Sequence, residues 1–295
     1  MNLAPIILFV YNRLEHTKKT VDALKQNKLA SDSLLFIFSD GNKGERDRKS
    51  VEEVRSFIST ISGFDEIKII LREKNLGLAN SVISGVSEVI NKYEKAIVLE
   101  DDIVTSPYFL KFMNEALEFY KDDNRIFSVS GYNFPIKIPA SYQYKIYISP
   151  RPSSWGWATW KDRWEKVNWE NSEYEDFIKD KKRILNFNMG GDDLTRMLKN
   201  QIAGKINSWA IRWAFAHYLN NAFCLFPVRS FVNNIGADRS GVHTRKTNKF
   251  SVAIYSEEYQ DFLLKYPQTN EEILKNFRKF FSKKNPLKRI QDLIS

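Results

Sequence analysis

The chain of 295 residues has a single cysteine, Cys224, which excludes a disulfide framework and a zinc site built on thiolates. No apolar run approaches the roughly 18–20 residues that a membrane-spanning helix needs. Residues 1–10 lack a basic segment and a small-residue cleavage site, so they read as a strand and not as a signal peptide. Linker-like Gly/Ser/Pro tracts and internal repeats are also missing, which argues against independent units joined in series. These absences point to a cytoplasmic protein whose length supports one large domain, or somewhat more, with a full core.

What the chain has in excess is positive charge, at a formal +9, together with 14% aromatic residues. The composition is too mixed for a disordered chain. Part of the excess falls near the end, where Lys275, Arg278, Lys279, Lys283, Lys284, Lys288 and Arg289 occur with no acid among them. They alternate with Phe277, Phe280, Phe281, Leu287 and Ile290. Such a segment at 275–290 suits an anionic membrane surface, apolar side down. It equally suits a basic helix packed on the domain with its charges in water. Asn285-Pro286 breaks the helix and shortens its apolar side.

The first half alternates two kinds of pattern. Short continuous apolar runs at 6–10, 34–38, 67–71 and 96–99 read as buried strands, and amphipathic stretches at 14–26, 51–61 and 78–93 read as helices. That alternation predicts an α/β fold with a mostly parallel sheet flanked by helices. Ligands gather at the carboxyl ends of such strands, and four of these ends are polar: Tyr11-Asn12-Arg13, Ser39-Asp40-Gly41, residues 72–78 and Glu100-Asp101-Asp102. The second half holds all seven tryptophans and reads as α+β material on the same sheet.

Val98-Leu99-Glu100-Asp101-Asp102 is the sharpest local feature. Three carboxylates at the end of a buried strand repel one another unless a cation sits among them. Hard oxygen donors suit Mg²⁺ or Mn²⁺ bridging to a diphosphate, whereas the plain alternative is an acidic turn before the helix near Ser106-Pro107. Gly190-Gly191-Asp192-Asp193-Leu194 offers carboxylates for general base work, or an N-cap for the helix that follows. Trp155-Gly156-Trp157 combines rings that stack on sugars with a glycine that lets a ligand approach, while Trp160, Trp164, Trp209 and Trp213 read as core. Arg212, between Trp209 and Trp213, reads as a stacked structural ion-pair donor, with an acceptor-site group as the alternative. A basic loop with Arg239, Arg245, Lys246 and Lys249 suits closure over a diphosphate, with His243 as a further metal-ligand candidate.

Taken in order, the acidic triplet, Ser106-Pro107-Tyr108-Phe109, residues 129–133, Ser154-Trp155-Gly156-Trp157 and residues 160–164 resemble the GT-A glycosyltransferases. Within them they are similar to the N-acetylglucosaminyltransferase I type and its bacterial family-2-like relatives. The resemblance runs from about Pro5 to His243. It implies a Rossmann-like GT-A domain over 1–250, with a nucleotide-sugar half at 1–105 and an acceptor half at 106–250. Residues 251–295 then form a basic helical extension. It further implies Asp102 as the direct metal ligand of a DXD-like motif, with Glu100 and Asp101 orienting ribose or metal-bound water. Asp40 would accept the uracil N–H, Arg13 would lie along the nucleotide, and Asn75 with Lys74 would meet base or diphosphate. Asp192, with Asp193 close behind, would be the base of an inverting transfer.

The implied activity is hexosyl or N-acetylhexosaminyl transfer from a nucleotide-diphosphate sugar, foremost a UDP-sugar, with Mn²⁺ or Mg²⁺. The acceptor would be a hydroxyl of a glycan or a lipid-linked oligosaccharide in polysaccharide biosynthesis at the inner face of the membrane. A sugar-1-phosphate nucleotidyltransferase is the alternative, but it wants a glycine-rich loop after the first strand, and no glycine occurs before Gly41. A non-catalytic basic membrane-binding module is a third reading. No nucleic-acid motif is recognisable, so nucleic acid is not expected as a partner.

Overall fold

The computed structural model describes residues 2–238, 248–257, 265 and 267–282. Its strands are β1 (Ile6–Val10), β2 (Leu34–Ser39), β3 (Glu66–Leu71), β4 (Lys95–Glu100), β5 (Ile103–Thr105), β6 (Ile126–Ser130), β7 (Ile146–Ser149), β8 (Trp157–Trp160), β9 (Phe223–Pro227) and β10 (Val232–Asn234). The α-helices are α1 (Leu14–Lys25), α2 (Glu45–Ile58), α3 (Gly77–Tyr93), α4 (Phe109–Phe119), α5 (Lys161–Trp164), α6 (Tyr174–Phe177), α7 (Lys181–Phe187), α8 (Leu194–Ile202), α9 (Trp209–Leu219) and α10 (Glu271–Phe281).

One eight-stranded sheet runs β3-β2-β1-β4-β8-β6-β9-β7. β1, β2, β3 and β4 are mutually parallel, β8 is antiparallel to both β4 and β6, β9 is parallel to β6, and β7 is antiparallel to β9. The expected mostly parallel α/β sheet is therefore present, and both halves of the chain share it. Side chains alternate across each strand. Ile6, Leu8 and Val10 pack with Val21, Leu24 and Phe112 on one face. Ile7 and Phe9 pack with Val82, Val86, Trp157, Trp164, Trp209 and Trp213 on the other. A two-stranded antiparallel ribbon pairs β5 with β10, with Asn234 opposite Ile103.

Two expectations change. α2 begins at Glu45 and not at residue 51, because its first turn is polar and is held by capping: the Asp47 carboxylate accepts the Gly44 N–H at 3.0 Å. Apolar periodicity starts only at Val51 and cannot see that turn. The helical part of the basic extension is α10, and it is not an appendage. Ile273 and Phe277 are buried in the main core, where Phe277 meets Phe134, Tyr147 and Phe226. The apolar side expected to lie on a membrane is thus turned into the protein over the described residues, and 283–290 lie outside them.

Candidate functional site

The carboxyl ends of β1 and β4 lie side by side, with Phe9 in register with Glu100. The chain leaves β1 through Arg13, whose non-helical backbone precedes α1. Its side chain turns onto the acidic triplet. Nη2 donates to Asp101 Oδ1, and to Asp102 Oδ2 at 2.9 Å, while Nε donates to Asp101 Oδ2 at 3.3 Å. Thr20 fixes the same turn by donating to the Asp101 carbonyl at 2.8 Å. Asp102 Oδ1 accepts from Asn234 Nδ2 at 3.2 Å, and the Ile235 N–H donates to the Asp102 carbonyl at 2.9 Å. Gly236 closes over this group so tightly that a Cβ there would lie 2.1 Å from Asp102 Oδ2.

The electrostatics follow from this geometry. Burial pushes the Asp101 carboxyl up to about 6, with Arg13 pulling it the other way. Glu100 is half-buried, and its carboxylate makes no hydrogen bond or ion pair among the described residues. Burial, then Asp102 and Asp101, push its carboxyl well above the ordinary carboxylate range. Burial works against the Arg13 charge, but Asp101 and Asp102 outweigh it and hold the guanidinium above its ordinary value. The cation that the triplet demands is therefore supplied from within the chain, by Arg13.

This bears on the expected metal. Arg13 holds both oxygens of Asp101 and one of Asp102, and Asn234 holds the other. No group of three or more His, Cys, Asp or Glu among the described residues is placed to hold a metal ion. As arranged, Arg13 and Asn234 engage the Asp102 carboxylate that was expected as the one direct protein ligand of a divalent ion. His243, with Arg239, Arg245 and Lys246, lies outside the described residues. His16 of α1 reaches Asp238, just before that stretch, at 3.2 Å.

At the end of β2, Asp40 serves the protein's own backbone. Its carboxylate accepts the N–H groups of Leu76 at 2.9 Å and Gly77 at 3.0 Å, holding the start of α3. Both oxygens are engaged in this way, so the carboxylate expected to accept the uracil N–H also holds the loop before α3. Asn75 is likewise structural: its amide donates to the Gly41 carbonyl at 2.7 Å, and its oxygen accepts the Gly77 N–H at 3.1 Å. Lys74 is exposed. Tyr11, beside Arg13, donates to Asp47, and burial followed by that bond pushes its hydroxyl up to about 12.

The antiparallel pair β4/β8 ends with Val98 opposite Trp157, so the residues just before β8 lie toward the carboxyl end of β4. Gly156 has φ of +56°, and a Cβ there would lie 2.9 Å from Val232, so glycine is needed for both reasons. Trp155 is partly exposed and stands edge-on to Tyr132 and Phe250. Trp157 is 1% exposed and stacks on Trp209 with ring centroids 5.0 Å apart. It cannot meet a sugar, which removes it from the expected pair. Trp160, Trp164, Trp209 and Trp213 are buried as expected. Arg212 is structural too, donating to the Ser208 carbonyl and to Asn207. Trp155 borders a cavity of about 220 Å³ whose walls include Phe134, Phe250, Phe281, Leu194 and Met197, with Arg151 at one side.

Asp193 does not cap α8 with its side chain. Arg151 donates to both its oxygens, at 2.7 and 3.0 Å, and stacks 3.6 Å over the Phe281 ring. Gly191, at φ +140°, leaves room for that pair: a Cβ would lie 2.6 Å from Arg151 Nη1. Asp192 is more exposed, accepts from Arg278 of α10 at 3.1 Å through Oδ1, and leaves Oδ2 unbonded among the described residues.

Sequence reasoning missed Arg151, Arg278, Phe281 and the Asn234 contact. The Gly190-Gly191 pair was the available signal, since adjacent glycines before two acids mark a turn crowded by some other group. Which group crowds it is set by tertiary contact alone.

No model of a known family matches the sequence, and no curated protein matches it. Among solved structures, it is similar to the mannosyltransferase PcManGT from Pyrobaculum calidifontis in complex with GDP-Man and Mn²⁺, at 13% identity over 57% of this chain and 49% of that one, with a TM-score of 0.39. It is similar to TarS of S. aureus at 12% identity over 77% of this chain and 36% of that one, with a TM-score of 0.40. A structure of TarS residues 1–349 gives 9% identity, 77% and 59% coverage, and a TM-score of 0.41. The chain spans 36–59% of the length of these structures.

Proposed function

We propose that the chain is a glycosyltransferase that moves a sugar from a nucleotide-diphosphate sugar, foremost a UDP-sugar, to a hydroxyl of a glycan or lipid-linked acceptor. The observation that supports this reading is that β8, which follows Trp155 closely, pairs antiparallel with β4, so the charged end of β4 and the start of β8 near the aromatic-walled cavity belong to the same edge of the sheet. One side suits a diphosphate and the other a sugar.

On the donor side, Arg13 Nη1 makes no hydrogen bond among the described residues, so its N–H groups are available to the leaving diphosphate. Because Asp101 and Asp102 hold the guanidinium in place, it needs no reorganisation as charge builds on the leaving oxygen. On the acceptor side, Trp155 offers a ring face to a pyranose. Asp192 is the better base of the two acids, since Arg151 occupies both oxygens of Asp193 and Asp192 keeps one free. Its carboxylate takes the acceptor hydroxyl proton as that oxygen attacks the anomeric carbon. The bond to diphosphate breaks on the opposite face, which inverts the centre. The neighbours PcManGT and TarS fit this class by name. A divalent ion at Asp102 would need Arg13 to let go, and no step here depends on one.

The reading is tested by incubating the protein with labelled UDP-, GDP-, CDP- and dTDP-sugars and a pool of glycan and lipid-linked acceptors, with Mn²⁺ or EDTA. Label should enter acceptor from one donor, and Asp192→Asn should lower the rate by about 10²–10⁴. Transfer from no donor, or full activity in Asp192→Asn, would sink the assignment.

A further inference from the structure

Behind the turn that presents Asp192, the chain carries a surface with a composition of its own. On α7, Lys181, Lys182 and Leu185 are exposed, and Met189 follows one turn later; steps of three and four residues set them on one side. Leu185 is 63% exposed and Met189 38%. On α8, Arg196, Lys199 and Ile202 recur every third residue and are all exposed. The turn at 188–190 touches α7, α8 and α10, and α10 adds the exposed Lys275 and Lys279.

Lys181, Lys182, Arg196, Lys199, Lys275 and Lys279 form no ion pair with an acid among the described residues, whereas three acids of the same stretch have partners. Asp180 caps α7, Asp193 is held by Arg151 and Asp192 by Arg278. Glu271 and Glu272 sit in the first turn of α10, one turn from Lys275 and two from Lys279. Large aliphatic side chains in water, ringed by unpaired cations, match the chemistry of an anionic lipid surface. Single-stranded nucleic acid would want exposed rings for stacking, and the exposed large side chains here are Leu, Met and Ile.

We infer that the α7–α8–α10 face docks on an anionic lipid bilayer, with Leu185, Met189 and Ile202 entering the headgroup layer and the surrounding Lys and Arg meeting anionic headgroups. The contact is made by residues other than the apolar side of α10, which the core consumes. α8 then works on two sides. Leu194 and Met197 line the cavity beside Trp155, while Arg196 and Lys199 face lipid. Resting on the transferase reading, this placement makes the acceptor a lipid-linked one, delivered from the bilayer to the cavity.

Co-sedimentation of the full chain with vesicles of phosphatidylcholine, and of phosphatidylcholine mixed with phosphatidylglycerol, tests the docking without any turnover. Binding is expected to the anionic vesicles and to fall about fivefold for each cation removed at low salt. R196E/K199E and K181E/K182E should each lose most of it, L185E should weaken it in high salt as well, and K49E on α2 should bind as wild type. Equal binding to both vesicle types, no binding, or undiminished binding by R196E/K199E would overturn the inference. So would tighter binding to a single-stranded oligonucleotide than to the anionic vesicles. A nucleoside diphosphate that still raises the melting temperature of the non-binding variants separates failure of docking from failure of the transferase reading.

Discussion

At the ends of β1 and β4 the chain gathers charge, and around Trp155 it gathers rings. The charged side is braced from within: Arg13 joins two acids through Nε and Nη2, Asn234 holds the second, and Gly236 leaves no room for a side chain. The aromatic side is open, with a partly exposed Trp155 over a cavity. Ionic groups out of water need fixed partners in fixed geometry, while an apolar wall needs only shape. Substitutions should therefore separate the two sides. The charged side should fail in stability, and the aromatic side should fail in acceptor use.

The largest effect is expected from Arg13→Ala, which leaves Asp101 and Asp102 buried without their cation and should cost about 3–5 kcal/mol in urea unfolding. A loss under about 1 kcal/mol would mean that the acids are solvated, and the contrast would break. Trp157→Ala should cost about the same, 3–5 kcal/mol, because that ring is core. Trp155→Ala, two residues away, should cost about 1 kcal/mol or less and instead raise the acceptor KM. Similar stability losses in the two tryptophan variants would erase the distinction drawn here.

Arg151→Ala should cost about 1–3 kcal/mol by leaving Asp193 unpaired, and it should lower transfer without touching nucleotide binding. Loss of nucleotide binding in that variant would mean that the two sides are one. The smallest effect concerns acid stability. His217 is buried between Ser128 and the Trp213 carbonyl, and burial lowers its pKa from 6.5 to about 3. The folded state then binds fewer protons than the unfolded one between these values, so its contribution is lost as pH falls from about 6.5 toward 3. His217→Phe should be less stable at pH 7 and lose stability less steeply over that range, measured by thermal melts.

Much of the sheet was legible in the sequence because buried parallel strands are continuous apolar runs, and β1, β2, β3 and β4 fall within a residue or so of where those runs lie. The triplet was legible too, as was the need for a cation beside it. That the cation is Arg13 was not, since 88 residues separate it from Asp101 and only the β1/β4 pairing brings them together. Asn234 arrives across 132 residues by the β5/β10 ribbon. Trp155 and Trp157 looked alike because strand spacing puts alternate residues on one side, but the φ of +56° at Gly156 turns the chain between them. α10 read either as a membrane-facing segment or as a basic helix packed on the domain, and contacts of Phe277 with Phe134 and Phe226, distant in sequence, favour the second over the described residues.

The central claim, that the charged strand ends bind a nucleoside diphosphate, is tested most directly by melting temperature. The protein, Asp102→Ala and Trp155→Ala would each be heated with UDP, GDP, CDP and dTDP, with and without Mn²⁺. A ligand that binds only the folded state raises the midpoint, by an amount equivalent to about 2.7 kcal/mol at a hundredfold excess over Kd. The expected result is a shift with one diphosphate, foremost UDP, kept in Trp155→Ala and lost in Asp102→Ala. A shift with none of the four, or one retained in Asp102→Ala, would contradict the account.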